Sequence, residues 1–306
     1  MIVSASRRTD IPSFYTEWLI QRLNEGYVLV RNPVNSHLVS RISLLPDAAE
    51  FIVFWTKNPA PMLTGLDRID RFSIPYYFLF TVTPYDTRLE RNLPDKDHIL
   101  ETFRMLSERI GKRRTIWRYD PVVLSDDIDV TYHRIRFERI CAKLENRTDR
   151  CIISFLDLYR KCRRNLQGLG VRQPGPQEKI DFASDLQKIA AKYGISVQSC
   201  AEDAELLVSG VENGKCIDGG LISEIIGKTV SACKDRTQRK RCGCVESVDI
   251  GAYNTCTNGC LYCYANSNPA SARCNRAVHD PASPLLFGDI DEKDRIIDRE
   301  MPQVLF

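Results

Sequence analysis

The sequence has no cysteine in its first 140 residues, only four histidines, almost no net charge and no membrane-length apolar run. The missing span excludes an integral helical membrane protein. With 43 Lys+Arg against 40 Asp+Glu, the formal charge is +3. The chain therefore lacks the one-signed footprint of a general nucleic-acid binder. The N-terminus, MIVSASRRTDIPSFY, carries no signal-peptide apolar core, which points to the cytoplasm. His37, His98, His133 and His279 are isolated from one another. His98 and His133 fall in helical stretches, where a surface or core role suits them better than catalysis. A chain of this length with thiols confined to its second half is not a disulfide-stapled secreted scaffold. A reducing compartment and metal-binding thiols are the better expectation.

What is present is a large potential core. Hydrophobic residues make up 43% and charged residues 27% of 306 positions, enough for one or two domains. Short β-branched or aromatic runs alternate with longer helical stretches. Strands are expected at 1–6, 51–56, 76–83, 114–119, 151–159 and 195–200. Helices are expected at 11–25, 60–69, 98–110, 131–144, 177–193 and 220–226. Residues 27–47 read as a hairpin around an Asn-Pro-Val-Asn turn. Repeated strand–helix alternation with nearly continuous apolar strands implies a parallel sheet covered by helices. No Gly-rich fingerprint follows the first strand, which disfavours a dinucleotide-binding sheet and favours a (β/α) TIM-like barrel, complete or partial.

Polar residues collect where the strands end. Arg7, Arg8 and Asp10 follow the first, Lys57 and Asn58 the second, Thr83 the third, and Arg118 and Asp120 the fourth. Such residues mark the active face of a (β/α) barrel, although ordinary capping and turn formation would also use them. Arginine side chains set just beyond a buried strand need a partner or a ligand, and a guanidinium can hold a carboxylate bidentately. These eight residues are the expected cofactor and substrate contacts.

From about residue 230 the composition shifts to Cys, Gly, Asn and basic residues. This suggests a division into a barrel, 1–230, and a Cys-rich segment, 231–306, packed on the barrel's C-terminal face. Within that segment Cys256, Cys260 and Cys263 follow the spacing C-x3-C-x2-C, with Tyr262 before the last. Three thiolates can hold three corners of a [4Fe–4S] cubane and leave one iron open. Cys200, Cys216, Cys242 and Cys244 form a second candidate set, for another iron–sulfur cluster or a zinc ion. The basic run from Lys234 to Arg241 lies beside them. Cys141 and Cys151 read as small buried hydrophobes.

The C-x3-C-x2-C spacing and Tyr262 resemble the cluster motif of the radical S-adenosylmethionine superfamily. That resemblance implies a [4Fe–4S] cluster, bound S-adenosylmethionine, Tyr262 near its adenine, and a 5′-deoxyadenosyl radical acting on a small-molecule substrate. It also implies a reductant such as flavodoxin or ferredoxin. The motif lies near the C-terminus instead of after the first strand, so residues 247–252 would supply a strand beside the first in a circularly permuted barrel. The phrases SASRRTDIPSFY, VRNPVN, FWTKNP, FTVTPYD, WRYDPVV and CGCVESVDIGAYNTCTNGCLYCYAN resemble an uncharacterised family, domain of unknown function 1848, over nearly all of residues 1–290. Two other functions fit the same residues: an iron–sulfur electron carrier or sensor without S-adenosylmethionine cleavage, and a zinc-ordered nucleic-acid-binding protein.

Overall fold

The structure is a computed structural model and describes residues 1–202, 204–230 and 233–299. Its strands, in chain order, are β1 Ile2–Ala5, β2 Tyr27–Arg31, β3 Leu38–Ser43, β4 Phe51–Thr56, β5 Tyr76–Thr81, β6 Thr115–Val122, β7 Arg150–Phe155, β8 Ser196–Ser199, β9 Glu212–Asn213, β10 Val248–Asp249 and β11 Arg295–Asp298. Eight of them form one sheet in the order β10-β1-β4-β5-β6-β7-β8-β9, and every pairing in it is parallel. The expected hairpin forms from β2 and β3, with β11 added alongside β3. The short strand expected within 247–252 pairs with β1, Val3 opposite Val248.

Strand alternation explains why the apolar runs are continuous. Val3, Phe54, Phe78, Phe80, Trp117 and Ile153 point to one face. There they pack with Trp18, Phe103, Leu106, Phe137 and Phe182 from helices Thr16–Glu25, Lys96–Ile110, Val130–Leu144 and Pro176–Ala191. Ile2, Val53, Tyr77, Leu79, Ile116 and Ile152 point to the other face. They meet Ile217, Leu221 and Ile222 of helix Gly219–Ile226 and its approach, together with Cys200, Cys216, Cys242 and Cys244. Both faces are covered, so both alternating sets must be apolar.

The barrel expectation is correct only in its coarser form. The fold is α/β with a parallel eight-stranded sheet, but β9 and β10 end the strand order and, among the described residues, no pairing joins them. The helix and cysteine loops occupy the face that a closed barrel would turn inward. Local chemistry fixes the helix starts: Asp95 accepts from the His98 amide at 2.9 Å, and Asp129 caps the helix over Val130–Leu144. The expected helix over 11–25 is interrupted at Tyr15. No described helix is long and apolar enough to cross a membrane.

Candidate functional site

The C-terminal ends of β1, β4, β5 and β6 gather two polar clusters. Asp10, 5% exposed, anchors the first. Its carboxylate accepts from the Lys57 amide at 2.8 Å, Asn258 Nδ2 at 2.9 Å and the Ser13 amide at 3.1 Å. Burial raises its pKa, opposed by hydrogen bonds from the Lys57 amide, the Thr56 side chain and Ser13. Lys57 Nζ then reaches Glu90 Oε1 at 2.7 Å. Glu90 also accepts from Thr83 Oγ1 at 2.6 Å, from Lys96 and from the Tyr262 hydroxyl. Lys57 Nζ lies 5.4 Å from the Tyr262 ring centroid. Burial works against the Lys57 ammonium, but Glu90 outweighs it and the pKa is raised. Tyr262 therefore closes a satisfied ion-pair cluster.

The second cluster centres on Trp55. The Arg118 guanidinium lies 4.8 Å from its ring and that of Arg7 5.4 Å away. Arg118 also pairs with Asp120, whose other oxygen accepts from Ser154 Oγ at 2.6 Å. Arg7 lies 3.6 Å from Asp235. Arg8 lies 3.9 Å from Asp249, a carboxylate that also accepts from Ser4, Ser6 and the Arg7 amide. Three buried donors here have no hydrogen-bond partner: Arg7 Nη2, Arg118 Nε and Trp55 Nε1.

The remaining expected contact residue, Asn58, makes local hydrogen bonds. Its side chain accepts from the Ala60 amide at 3.2 Å, and its carbonyl accepts from Ser13 Oγ. Sequence reasoning missed Glu90, Lys96, Asp235 and Asp249. None follows its strand end in a legible pattern; Glu90 lies nine residues beyond Thr81.

Cys200, Cys216, Cys242 and Cys244 are brought together against the sheet. Cys216 Sγ is 3.4 Å from Cys200 Sγ, and Cys244 Sγ accepts from the Ile217 amide at 3.3 Å. The loops carrying Cys216 and Cys244 also join through the Val245 amide and Ile217 carbonyl at 3.1 Å. Gly243 permits this approach, since a Cβ there would lie 3.1 Å from Lys215 Cγ. Hydrogen bonds with Cys216 and burial hold the Cys200 thiol well above its ordinary value. Hydrogen bonds from Cys216 and Cys242, opposed by burial and assisted by Arg7, hold Cys244 well below it.

Cys256, Cys260 and Cys263 lie in one loop that the Leu89 carbonyl tethers through the Leu261 amide at 2.9 Å. Burial raises all three thiols. Among the described residues, no group of three or more His, Cys, Asp or Glu side chains is placed to hold a metal ion. This overturns the [4Fe–4S] cluster at Cys256, Cys260 and Cys263, and with it the likeness to radical S-adenosylmethionine enzymes, the bound S-adenosylmethionine and the radical activity. It equally overturns an iron–sulfur or zinc centre at Cys200, Cys216, Cys242 and Cys244. The electron-carrier, sensor and zinc-ordered nucleic-acid readings fall with those centres. The physical reason at the quartet is that its sulfurs are partnered mainly with one another and with backbone.

Residues 2–265 match the family described as domain of unknown function (DUF1848). The chain belongs to that family. No curated protein matches it. Among solved structures it is similar to a Bacteroides thetaiotaomicron protein proposed to be an alpha-L-fucosidase, at 12% identity and a TM-score of 0.26. The match covers 52% of this chain and 66% of that one, slightly under two thirds of its length. A likeness that weak carries no argument about fold or activity.

Proposed function

We propose that the protein binds a small anion, a carboxylate or phosphate, at the C-terminal mouth of the parallel sheet between Arg7 and Arg118. The observation that carries this reading is the trio of buried, unpartnered donors Arg7 Nη2, Arg118 Nε and Trp55 Nε1. Each such donor costs about 1–3 kcal/mol when left unsatisfied in the interior, and an anion accepting from them offsets that cost. A guanidinium keeps its charge at any physiological pH and presents a planar fork matched to carboxylate or phosphate oxygens. Both guanidinium groups lie over the same Trp55 indole, a cation–π contact that favours their placement. Asp120, Asp235 and Asp249 neutralise part of the positive charge, so the site favours a ligand of low charge over a polyanion. The reading treats the sheet as an open relative of a (β/α) barrel, in which ligands sit at strand C-termini.

Titration of the full chain with phosphate and with succinate, followed by calorimetry and tryptophan fluorescence, tests it. Saturable binding of at least one is expected, with Arg118→Met weakening it by about tenfold or more, the loss of one charge-assisted contact. Absence of saturable binding by both anions into the millimolar range would overturn the reading, as would equal affinity in Arg118→Met.

A further inference from the structure

The thiol quartet belongs to neither polar cluster, and its placement carries chemistry of its own. Cys216 stands in its middle. On one side its sulfur lies 3.4 Å from Cys200 Sγ, and on the other it shares a hydrogen bond with Cys244. Only 1% of Cys216 and 7% of Cys200 is exposed. The backbone presses the two loops together: β9 pairs with β8 through Ser199 and Asn213, and the Gly214 amide donates to the Ser199 carbonyl at 2.6 Å. Gly214 is required there, because a Cβ would fall 2.8 Å from Gln198 Cβ. A disulfide needs sulfurs about 2.05 Å apart, so closing this pair requires a shift of roughly an ångström and a half.

We infer that Cys200 and Cys216 form a peroxide-responsive dithiol pair. Cys216 Sγ attacks one oxygen of hydrogen peroxide and the O–O bond breaks. Cys216 becomes a sulfenic acid, and the departing hydroxide leaves as water with the thiol proton. Cys200 Sγ then attacks Cys216 sulfur. The S–S bond forms, and the sulfenic hydroxyl leaves as a second water with the Cys200 proton. Two thiols are oxidised by two electrons and one peroxide is reduced to two waters. Arg118 favours negative charge on the Cys216 sulfur as it attacks. The attacking species in such steps is the thiolate. A sheltered site admits a water-sized oxidant more readily than a bulky disulfide. This inference does not depend on an anion binding between Arg7 and Arg118.

Trypsin separates the participants cleanly. Cys200 lies in peptide 193–215, Cys216 in 216–228, and Cys242 and Cys244 together in 242–273. The reduced full chain is treated with hydrogen peroxide, its free thiols are alkylated, and the digest is mapped by mass spectrometry without reductant. The expected product is 193–215 joined to 216–228 and released by dithiothreitol. A folded Cys200→Ser protein, treated with peroxide and dimedone, is expected to carry the dimedone adduct on 216–228. A peroxide-treated native chain without the 193–215 to 216–228 link overturns the pair. So does a link from either peptide to 242–273 in its place. Because the mapping is done on the native chain, it decides the question even if the variant does not fold.

Discussion

Lys57 Nζ lies 2.7 Å from Glu90 Oε1, and only 1% of the Glu90 side chain is exposed. The pair joins the end of β4 to the loop beyond β5, and the Tyr262 hydroxyl donates to the same carboxylate. A single buried acid thus ties the cysteine-rich loop to the sheet. Removing its charge while keeping its shape leaves Lys57 and Lys96 without a counter-ion. Glu90→Gln is expected to cost about 3–5 kcal/mol, the usual penalty for breaking one side of a buried ion pair. Urea unfolding of the two proteins checks this; a loss below about 1 kcal/mol would mean the lysines find water or other partners.

The same carboxylate sets an acid limit. Burial alone would raise the Glu90 pKa, but Lys57 and then Lys96 outweigh it and hold it at about 2, below the ordinary 4.5. A carboxyl lowered on folding contributes stability that is complete above the unfolded value and is lost as pH falls through the folded one. The window therefore runs from pH 4.5 down to about 2. Stability measured across it should fall more steeply in the native chain than in Glu90→Gln. Identical slopes would show that folding does not lower the Glu90 pKa.

His133 titrates in a different window. Its Nε2 lies 2.9 Å from the Val123 carbonyl, so that nitrogen carries the proton, and Nδ1 accepts from the Tyr119 hydroxyl at 2.6 Å. Burial lowers the imidazole pKa from 6.5 to about 4 against the helping carbonyl. Folding therefore holds a neutral ring that the unfolded chain protonates first. The stability is present above pH 6.5 and is lost progressively as pH falls to about 4. Proton NMR should show His133 as the imidazole that stays neutral at pH 5.5, and a chemical-shift midpoint above 6 would contradict the buried network.

The sheet was legible because its central strands are short, continuous apolar runs. Phe51–Thr56 and Tyr76–Thr81 are apolar at every position or nearly so, and only a strand covered on both faces asks for that. The polar strand ends were legible in part for the same reason: Arg7 and Lys57 each follow such a run, whereas Arg118 lies inside β6. The pairing among them was not. Glu90 and Asp249 are supplied by a loop and by a two-residue strand far away in the chain, and no local pattern marks them. Open or closed pairing of the sheet depends on what covers its second face, here the helix Gly219–Ile226 and the cysteine loops. The cysteine spacing misled because three thiols close in sequence say nothing about where their sulfurs point. At Cys256, Cys260 and Cys263 no ligand set is assembled.

Gly251 offers a way to move the anion site without touching its cations. A Cβ on Gly251 would fall 2.1 Å from Ser6 Oγ, 2.6 Å from Ser6 Cβ and 3.1 Å from Thr9 Cγ2. Ser6 cannot simply swing away, because its hydroxyl donates to Asp249 Oδ1 at 2.6 Å and accepts from the Arg8 amide at 2.9 Å. The Gly251 amide donates to that same Asp249 oxygen at 3.0 Å. The turn after β1 and the turn after β10 are thus interlocked around one carboxylate, and an added methyl must push the Arg7–Arg8 turn outward. Gly251→Ala is expected to cost about 1–3 kcal/mol, as overpacking of a tight contact does, and to weaken phosphate or succinate binding through displacement of Arg7. Gly175→Ala is the control: a Cβ there meets nothing within 4 Å, and the backbone φ of −69° suits alanine. Unfolding curves and anion titrations of the two variants separate the cases. Native stability and native anion affinity in Gly251→Ala would show that the turn after β1 is free to shift and that Arg7 does not depend on Asp249 for its position.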